Sequence, residues 1–311
     1  MRKFIKKIAA SALAGAMVLS LSNVLPINAQ EVEDSEELFV EEYVTDESTG
    51  DSYESNNQVS DATTGRYNKV TFATIHDEND VDYYEMEISD TSKEICIILT
   101  NIPSGCDYNV ELVKVDGAGN IIDEMQDFES GTLSEVLIGN VTSAGTYYVV
   151  VSPAANVENN YSSLNYKLYF GEHYRTGGYG WIDTGYDINF GYHKAGSGRT
   201  YSDWYTVNLT NNTSIPDGAL VTKFYLDGTT GNGAYHTGFY KQLRANGSGV
   251  QFADKSGGID VMYSNDNGPY PVKQSWSFRG YVSASTYFVW EPEILIMYRY
   301  PVTVANLRFL L

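Results

Sequence analysis

Positive charge is scarce in this 311-residue chain, which has 20 Lys and Arg against 40 Asp and Glu, a formal net charge of −20 at pH 7. Nucleic-acid binding requires a basic surface, and attraction to anionic lipid requires a cluster of Lys and Arg. The composition therefore argues against a nucleic-acid partner and against docking on an anionic membrane.

The motifs of several common enzyme classes are also missing. The chain contains no His-Glu-x-x-His, no Gly-x-Ser-x-Gly and no Gly-rich phosphate loop followed by Lys and Ser or Thr. Neither of its two cysteines lies in a papain-like context. We therefore favour a non-catalytic protein, and assign no catalytic residue.

Apolar runs long enough to cross a bilayer are lacking after the N-terminus. Residues 1–29 begin with four Lys and Arg, continue with an apolar stretch and end in Ala29. This order is typical of a secretory signal peptide and predicts a secreted, extracellular protein with no membrane attachment after cleavage. The alternative is an uncleaved membrane anchor.

An acidic stretch follows the signal. Twelve acids and no Lys or Arg lie between Glu31 and Asp61. Such a run cannot bury enough apolar surface to fold alone, and self-repulsion extends it. We predict that residues 30–50 are a linker; a cation-binding or partner-binding tail is the alternative.

Charge and aromatic content divide the remainder near residue 172. Residues 62–171 contain 17 acids and 5 bases, whereas residues 172–311 contain 11 of each, all four Trp and 15 of the 26 Tyr. Short runs rich in Val, Ile and Tyr alternate with Gly, Asn, Asp and Pro throughout, which favours strands and turns. The expected fold class is all-β, with two jelly-roll-like β-sandwich domains, 51–171 and 172–311.

Predicted strands of the first domain are Lys69–Ile75, Asp82–Ile88, Glu94–Thr100, Asn109–Val115, Thr146–Val151 and Asn165–Phe170. Those of the second domain are Trp181–Ile188, Thr200–Leu209, Ala219–Leu226, Ala234–Leu243, Gln274–Val282, Thr286–Val289, Ile294–Tyr298 and Val302–Phe309.

Several short motifs in residues 51–171 occur together in one order. They are Tyr-Glu-Ser-Asn-Asn from Tyr53, Asp-Val-Asp-Tyr-Tyr from Asp80, Pro-Ser-Gly-Cys-Asp-Tyr-Asn-Val-Glu-Leu from Pro103, Ala-Gly-Thr-Tyr-Tyr-Val-Val-Val from Ala144 and Tyr-Lys-Leu from Tyr166. With these motifs the segment resembles the bacterial pre-peptidase C-terminal domain, a β-sandwich similar to the collagen-binding domains of clostridial collagenases. The resemblance implies a binding module. It does not imply collagen binding, because the tyrosine-rich strand of the collagen-binding relatives has no match in this sequence.

The resemblance also implies a calcium ion between the acidic N-terminal segment and the turn before the Asp-Tyr-Tyr strand. The matching positions are Glu54, Asn56, Asn57, Asp80 (with Asn79 as its alternative) and Asp82. Calcium binds six to eight hard oxygen ligands, and carboxylates and amide carbonyls supply them. One acid of the family pattern falls on Ser52, for which Asp51 is a candidate substitute. Solvated acids on a capped turn are the alternative.

In the second domain we expect a ligand-binding surface of aromatic rings. Interleaved glycines favour exposure of the run Tyr174, Tyr179, Trp181, Tyr186 and Tyr192, and Tyr and Trp suit recognition because they combine an apolar face with a polar edge. These rings can instead fill a β core.

The expected function is a secreted accessory protein that binds extracellular polysaccharide or matrix protein. Two alternatives stay open: a soluble partner of a separately encoded peptidase, and a small secreted hydrolase with its site in the second domain. Nominal catalytic residues for the hydrolase are His193, His236, Asp203 and Asp227.

Export also leaves two states open for Cys96 and Cys106. Either they form a cross-strand disulfide, or they are two small buried thiols.

Overall fold

The computed structural model describes residues 51–127, 131, 133–193, 198–230, 239–245, 251–254, 270–282 and 286–311. The described residues form eighteen strands and two short 3-10 helices, so the predicted all-β fold is confirmed. No helix in this part of the chain has the length and apolar character that a membrane span requires. The predicted signal peptide and acidic linker lie outside the described residues.

The first sandwich contains nine strands: β1 (Thr63–Thr64), β2 (Lys69–Ala73), β3 (Asp82–Ile88), β4 (Ile95–Thr100), β5 (Tyr108–Val115), β6 (Ile121–Asp127), β7 (Glu135–Gly139), β8 (Gly145–Pro153) and β9 (Tyr166–Glu172). One sheet has the order β1-β3-β8-β5-β6 and the other the order β2-β9-β4-β7. A 3-10 helix, Val59–Asp61, precedes β1.

Alternation along each strand decides which side chains form the first core. In β3 the side chains of Tyr84, Met86 and Ile88 are buried, while Glu85 and Glu87 between them are exposed. Successive residues of a strand point to opposite faces of its sheet, so the apolar set of β3 meets the facing sheet. The core draws its buried residues from positions 73–170.

The second sandwich contains another nine strands: β10 (Tyr174–Asp183), β11 (Ile188–His193), β12 (Thr200–Tyr201), β13 (Tyr205–Asn208), β14 (Leu220–Thr230), β15 (Phe239–Ala245), β16 (Gln251–Asp254), β17 (Ser275–Val282) and β18 (Thr286–Pro301). In one sheet β10, β11 and β14 all pair with β18; in the other, β12, β13 and β15 pair with β17, and β16 pairs with β15. Its core lies between positions 188 and 300.

Several predicted strands differ from the observed ones. Trp181–Ile188 is not one strand, because a turn at positions 184–187 separates β10 from β11. Gly185 in that turn has φ 72°, which favours glycine. Thr200–Leu209 is likewise divided into β12 and β13. The short exposed strand β6 and the strand β7 were not predicted; β6 carries three acids that interrupt the apolar pattern.

Thr286–Val289 and Ile294–Tyr298 belong to the single 16-residue strand β18. Pro292 is tolerated inside it because Gly228 lies opposite, where a Cβ would come within 1.9 Å of the Glu291 carbonyl oxygen. The Pro292 carbonyl accepts hydrogen bonds from the backbone N–H and the hydroxyl of Thr184. Proline is confined in sheets to such irregular places, because it has no N–H to donate.

The predicted last strand, Val302–Phe309, is wrong: the chain leaves β18 and forms a 3-10 helix, Val304–Phe309. Val302 and Leu307 pack against Cys96, Ile98 and Tyr169 on the outer face of the sheet β2-β9-β4-β7. That sheet is therefore buried on both faces, which explains the unbroken apolar sequence of β4.

Hydrogen bonds hold this C-terminal tail in place. The Val302 N–H donates to the His173 carbonyl at 2.7 Å, and the Cys96 thiol lies 3.8 Å from the Val302 carbonyl oxygen. Burial, together with the nearby Glu94 carboxylate, raises the pKa of the Cys96 thiol to about 12. The tail thus shields a thiol of the first sandwich with residues from the far end of the chain.

Replacing Leu307 with alanine is expected to loosen this contact. Loss of a buried leucine side chain lowers the free energy of unfolding by about 2–5 kcal/mol, and the Cys96 thiol should react faster with a thiol reagent. Urea denaturation and timed thiol labelling measure the two effects. Leu311→Ala, at a position that is 70% exposed, is the control. Unchanged stability and labelling in Leu307→Ala would contradict the packing role.

Candidate functional site

A cluster of acidic side chains lies where the segment 51–57 meets the loop between β2 and β3. The backbone carbonyl of Asn56 accepts the Tyr83 N–H at 2.9 Å, and the Asn57 side-chain oxygen accepts the Val81 N–H at 2.9 Å. These two bonds fasten the N-terminal segment alongside the start of β3. The cluster therefore combines residues that are more than twenty positions apart in sequence.

Asp82 is the most deeply placed acid of the cluster. It is fully buried at the start of β3, in phase with the core residues of that strand. One carboxylate oxygen accepts the Tyr166 hydroxyl at 2.5 Å, and the Tyr84 and Tyr166 hydroxyls lie 2.9 Å apart. The other oxygen, Oδ1, is buried without a hydrogen-bond partner.

Glu54 and Asp80 converge on His76. The His76 Nδ1 atom lies 2.6 Å from Asp80 Oδ2 and 3.1 Å from Glu54 Oε1, the latter an ion-pair contact without hydrogen-bond alignment. The backbone N–H of His76 also donates to Asp80 Oδ2, at 2.7 Å. Single ligand atoms of these three residues lie within 4.8 Å of one another.

Asp51 occupies the edge of the cluster and is bound to the backbone. Its Oδ1 accepts the Tyr53 N–H at 2.8 Å, and its Oδ2 accepts the Thr74 N–H at 2.6 Å. The Oδ2 atom thus anchors the N-terminal segment to the residue after β2, while Oδ1 stabilises the turn of the segment itself. Asp51, the candidate substitute for the missing family acid, therefore lies at the edge of the cluster, where its oxygens accept backbone N–H groups.

Five side-chain oxygens of the cluster are buried and accept no hydrogen bond. They are Glu54 Oε1, Glu54 Oε2, Asn56 Oδ1, Asp80 Oδ1 and Asp82 Oδ1. Leaving a buried polar atom unpaired costs about 1–3 kcal/mol, and more for a charged group. Carboxylate and amide oxygens are the ligand type that calcium prefers, and among these residues Glu54 and Asp80, together with His76, hold ligand atoms within 4.8 Å of one another.

Burial of these neighbouring carboxyl groups raises their pKa values. Burial, then repulsion by Asp80, raises the pKa of Glu54 to about 7. Burial also raises the pKa of Asp80, and raises that of Asp82 well above its usual range. Without a counter-charge the folded protein favours the protonated acids.

Of the five predicted calcium ligands, Glu54 and Asp80 meet at His76, while Asn56 and Asp82 are buried at adjoining positions of the N-terminal segment and of β3. Asn57 does not join them, because its side-chain oxygen is used by the Val81 N–H. His76 was not predicted, because it follows β2 in a loop that has no periodicity. Asp82 does carry a sequence signal, because this acid occupies the apolar phase of β3.

The predicted aromatic surface is divided by the fold. Trp181 is 52% exposed and Tyr174 is 44% exposed. Tyr179 and Tyr186 instead pack against the second core. The fold therefore divides these four rings between exposed and half-buried positions, and the side chain of Tyr192 lies outside the described residues.

Strand geometry explains why the rings separate. Tyr179 and Trp181 belong to β10, and a register shift lies between Tyr179 and Ile182. The Tyr179 hydroxyl accepts the Asn212 side-chain N–H at 2.9 Å, and the Tyr186 hydroxyl donates to the Thr206 carbonyl at 3.1 Å. Trp181 finds a different neighbour: its ring centroid lies 6.2 Å from that of Tyr225.

The remaining candidates occupy separate places. Cys96 and Cys106 are free and buried, so the buried-thiol alternative describes them. Asp227 pairs with Lys241 at 2.6 Å, and Asp203 is an exposed loop residue. The nominal catalytic histidines cannot be placed with them, since His236 and the side chain of His193 lie outside the described residues.

Neither a protein-family model nor a curated protein matches the chain. One similar solved structure is a "putative secreted protein" from Eubacterium rectale, with 16% identity, a TM-score of 0.31, and coverage of 75% of this chain and 74% of that one. Another is the CUB1-EGF-CUB2 region of human MASP-1/3, with 10% identity, a TM-score of 0.19, and coverage of 74% and 98% respectively. Both TM-scores are too low to indicate a shared fold.

The pKa of Glu54 generates a pH prediction for protein kept in chelator. Between pH 4.5 and about 7 the folded chain binds more protons at Glu54 than the unfolded chain does. The stability from this proton is therefore complete below pH 4.5 and is lost as pH rises towards 7. Urea denaturation at several pH values measures the slope.

Two variants separate this effect from general repulsion among the many acids. Glu54→Gln should flatten the slope between pH 4.5 and 7, whereas Glu85→Gln, exposed on the neighbouring strand, should leave it as in the wild type. Equal slopes in all three proteins would show that Glu54 does not carry the pH dependence.

Proposed function

We propose that this protein is a secreted binding protein whose first sandwich is stabilised by calcium. The observation that carries the proposal is the set of five buried oxygens without hydrogen-bond partners in Glu54, Asn56, Asp80 and Asp82. Burying several carboxylates together is unfavourable unless a cation compensates them. The resemblance of residues 51–171 to the pre-peptidase C-terminal domain supports calcium as that cation.

Calcium would act here as a structural clamp. Glu54 and Asn56 belong to the N-terminal segment, while Asp80 and Asp82 belong to the loop and strand that follow β2. An ion held by both sets would join them where only a few backbone hydrogen bonds do so otherwise. It would also neutralise acids whose pKa values are raised by burial.

The binding role is assigned to the second sandwich. Trp181 is exposed beside Tyr225, and the Lys223 ammonium lies 4.6 Å from the centroid of the Tyr225 ring. A flat aromatic surface beside a cation suits sugar rings or polar protein groups. Together with the N-terminal signal pattern, it supports contact with extracellular polysaccharide or matrix protein.

Calcium is expected to raise the melting temperature of the protein. At a calcium concentration one hundred times the Kd, binding adds about 2.7 kcal/mol to the free energy of unfolding. Asp80→Asn removes a charge from the cluster and should abolish most of this shift. Thermal unfolding in chelator, calcium, magnesium and zinc is the measurement.

Glu85→Gln is the matched control for Asp80→Asn, because it removes one exposed charge from the same sheet and should keep the full calcium shift. No shift in the wild type at millimolar calcium would overturn the proposed clamp. A shift with zinc alone would reassign the cluster to a transition metal held by His76.

Retention on insoluble matrices tests the binding role. The protein lacking residues 1–29 should be retained by at least one of cellulose, chitin, peptidoglycan and collagen, and the matrix should remain intact. Trp181→Ala should weaken retention about tenfold, whereas Leu164→Ala, an exposed leucine of the first sandwich, should not. Release of soluble products would instead support the hydrolase alternative.

A further inference from the structure

A second polar and aromatic surface covers the outer face of the sheet built on β17. We name it the arginine–aromatic face. Its members are Arg199, Tyr201, Trp204, Tyr240, Arg244, Arg279 and Tyr281.

Cross-strand register places three tyrosines of this face in one row. Tyr240 on β15 and Tyr201 on β12 both pair with Tyr281 on β17. The Tyr240 and Tyr281 rings are stacked at 4.6 Å with an interplanar angle of 8°, and the Tyr201 ring centroid lies 4.8 Å from that of Tyr281. The rings therefore support one another across three strands, with Tyr281 buried at the centre of the row and Tyr201 exposed at its edge.

Arginines are interleaved with these rings. The Arg279 guanidinium lies 4.6 Å from the centroids of both Tyr201 and Trp204, and Arg244 lies 4.3 Å from the Trp204 centroid. Arg199 lies 5.2 Å from the Tyr281 ring. Stacking occupies the flat face of a guanidinium and leaves its in-plane N–H groups as donors.

The acidic partner of these arginines is not found within the described part of the chain. In that part of the chain, Lys93, Lys241 and Lys273 each form an ion pair with an Asp or Glu. The ion pairs of the described residues do not include Arg199, Arg244 or Arg279. Arg279 donates to the Gln242 side chain, a neutral acceptor, at 2.7 Å. Within the described residues, the neighbours of Arg199, Arg244 and Arg279 are therefore aromatic rings and a neutral amide rather than carboxylates.

We propose that the arginine–aromatic face binds a carboxylate-bearing polysaccharide. A carboxylate matches the planar donor edge of arginine, and repeated acidic sugars would meet arginines spaced along a row of rings. Tyr, Trp and Arg are also enriched in protein interfaces, so an acidic peptide is the competing ligand that the test separates from an acidic sugar. The inference rests on the proposed polysaccharide-binding function and names its substrate class.

Affinity electrophoresis and calorimetry with polygalacturonate test the proposal, without added calcium because polyuronates themselves bind that ion. The wild type should bind, and affinity should fall as salt rises. Arg279→Lys keeps the charge but loses the planar fork, and should weaken binding about tenfold. Arg244→Ala should weaken it at least as much.

Arg308→Ala is the matched control, because Arg308 also stacks on a ring, that of Phe309, but lies in the C-terminal tail. It should bind polygalacturonate like the wild type. The melting temperature of each variant establishes that it is folded. Equal loss of binding in Arg308→Ala and Arg244→Ala would overturn the proposal, because each removes one positive charge and overall charge would then explain the loss.

Two further probes distinguish the outcomes. Fully methyl-esterified polygalacturonate should not bind, and polyglutamate should bind at least tenfold more weakly than polygalacturonate. Comparable binding of polyglutamate would assign the face to acidic peptides and overturn the sugar class. Retention on neutral matrices through Trp181 without polygalacturonate binding would overturn this inference alone, whereas absence of all binding would overturn both proposals.

Discussion

The burial of the Asp82 carboxylate constrains the architecture of the first sandwich. Asp82 takes a core-facing position in β3, and only one of its oxygens is satisfied, by the Tyr166 hydroxyl. A charged group in this position requires compensation, and burial raises the pKa of the Asp82 carboxyl well above its usual range, which favours its neutral form. Glu54 and Asp80 bring two further acids to the cluster, where both contact His76.

The two ends of the described chain are secured by different physical means. At the N-terminal end, Asp51 and Asn56 hold the segment through backbone hydrogen bonds next to the acidic cluster. At the C-terminal end, Val302 and Leu307 cover an apolar sheet face. The first contact depends on hydrogen bonds beside charged groups, whereas the second depends on hydrophobic burial.

The second sandwich presents two chemically different outer faces. The face with Trp181 and Tyr225 has exposed rings and a lysine, whereas the face built on β17 alternates tyrosines with arginines such as Arg279. Both faces arise from the same alternation, because every second residue of a strand points away from the core. The nearly neutral charge of residues 172–311 allows such basic surfaces within an acidic protein.

Sequence patterns predicted the strands that carry strict alternation, and β3 is predicted to the residue. They failed where a tertiary contact replaces the pattern: Pro292 lies within a strand because Gly228 faces it, and the segment after Val302 is a 3-10 helix because its apolar residues meet the other sandwich. For the acidic cluster, the motifs identified four oxygen-bearing residues. His76 was missed, because no periodicity or motif marks it.

Residue order by itself determined the all-β class, the segregation of charge, and the acids that precede the Asp-Tyr-Tyr strand, since these depend on local alternation and composition. Tertiary structure alone decided which oxygens are buried without partners and which aromatic rings are exposed. Tyr179 and Trp181 illustrate the reason: they are two residues apart, yet one packs on the core and the other faces solvent. Burial is a property of contacts between distant segments, and a single register shift redirects it.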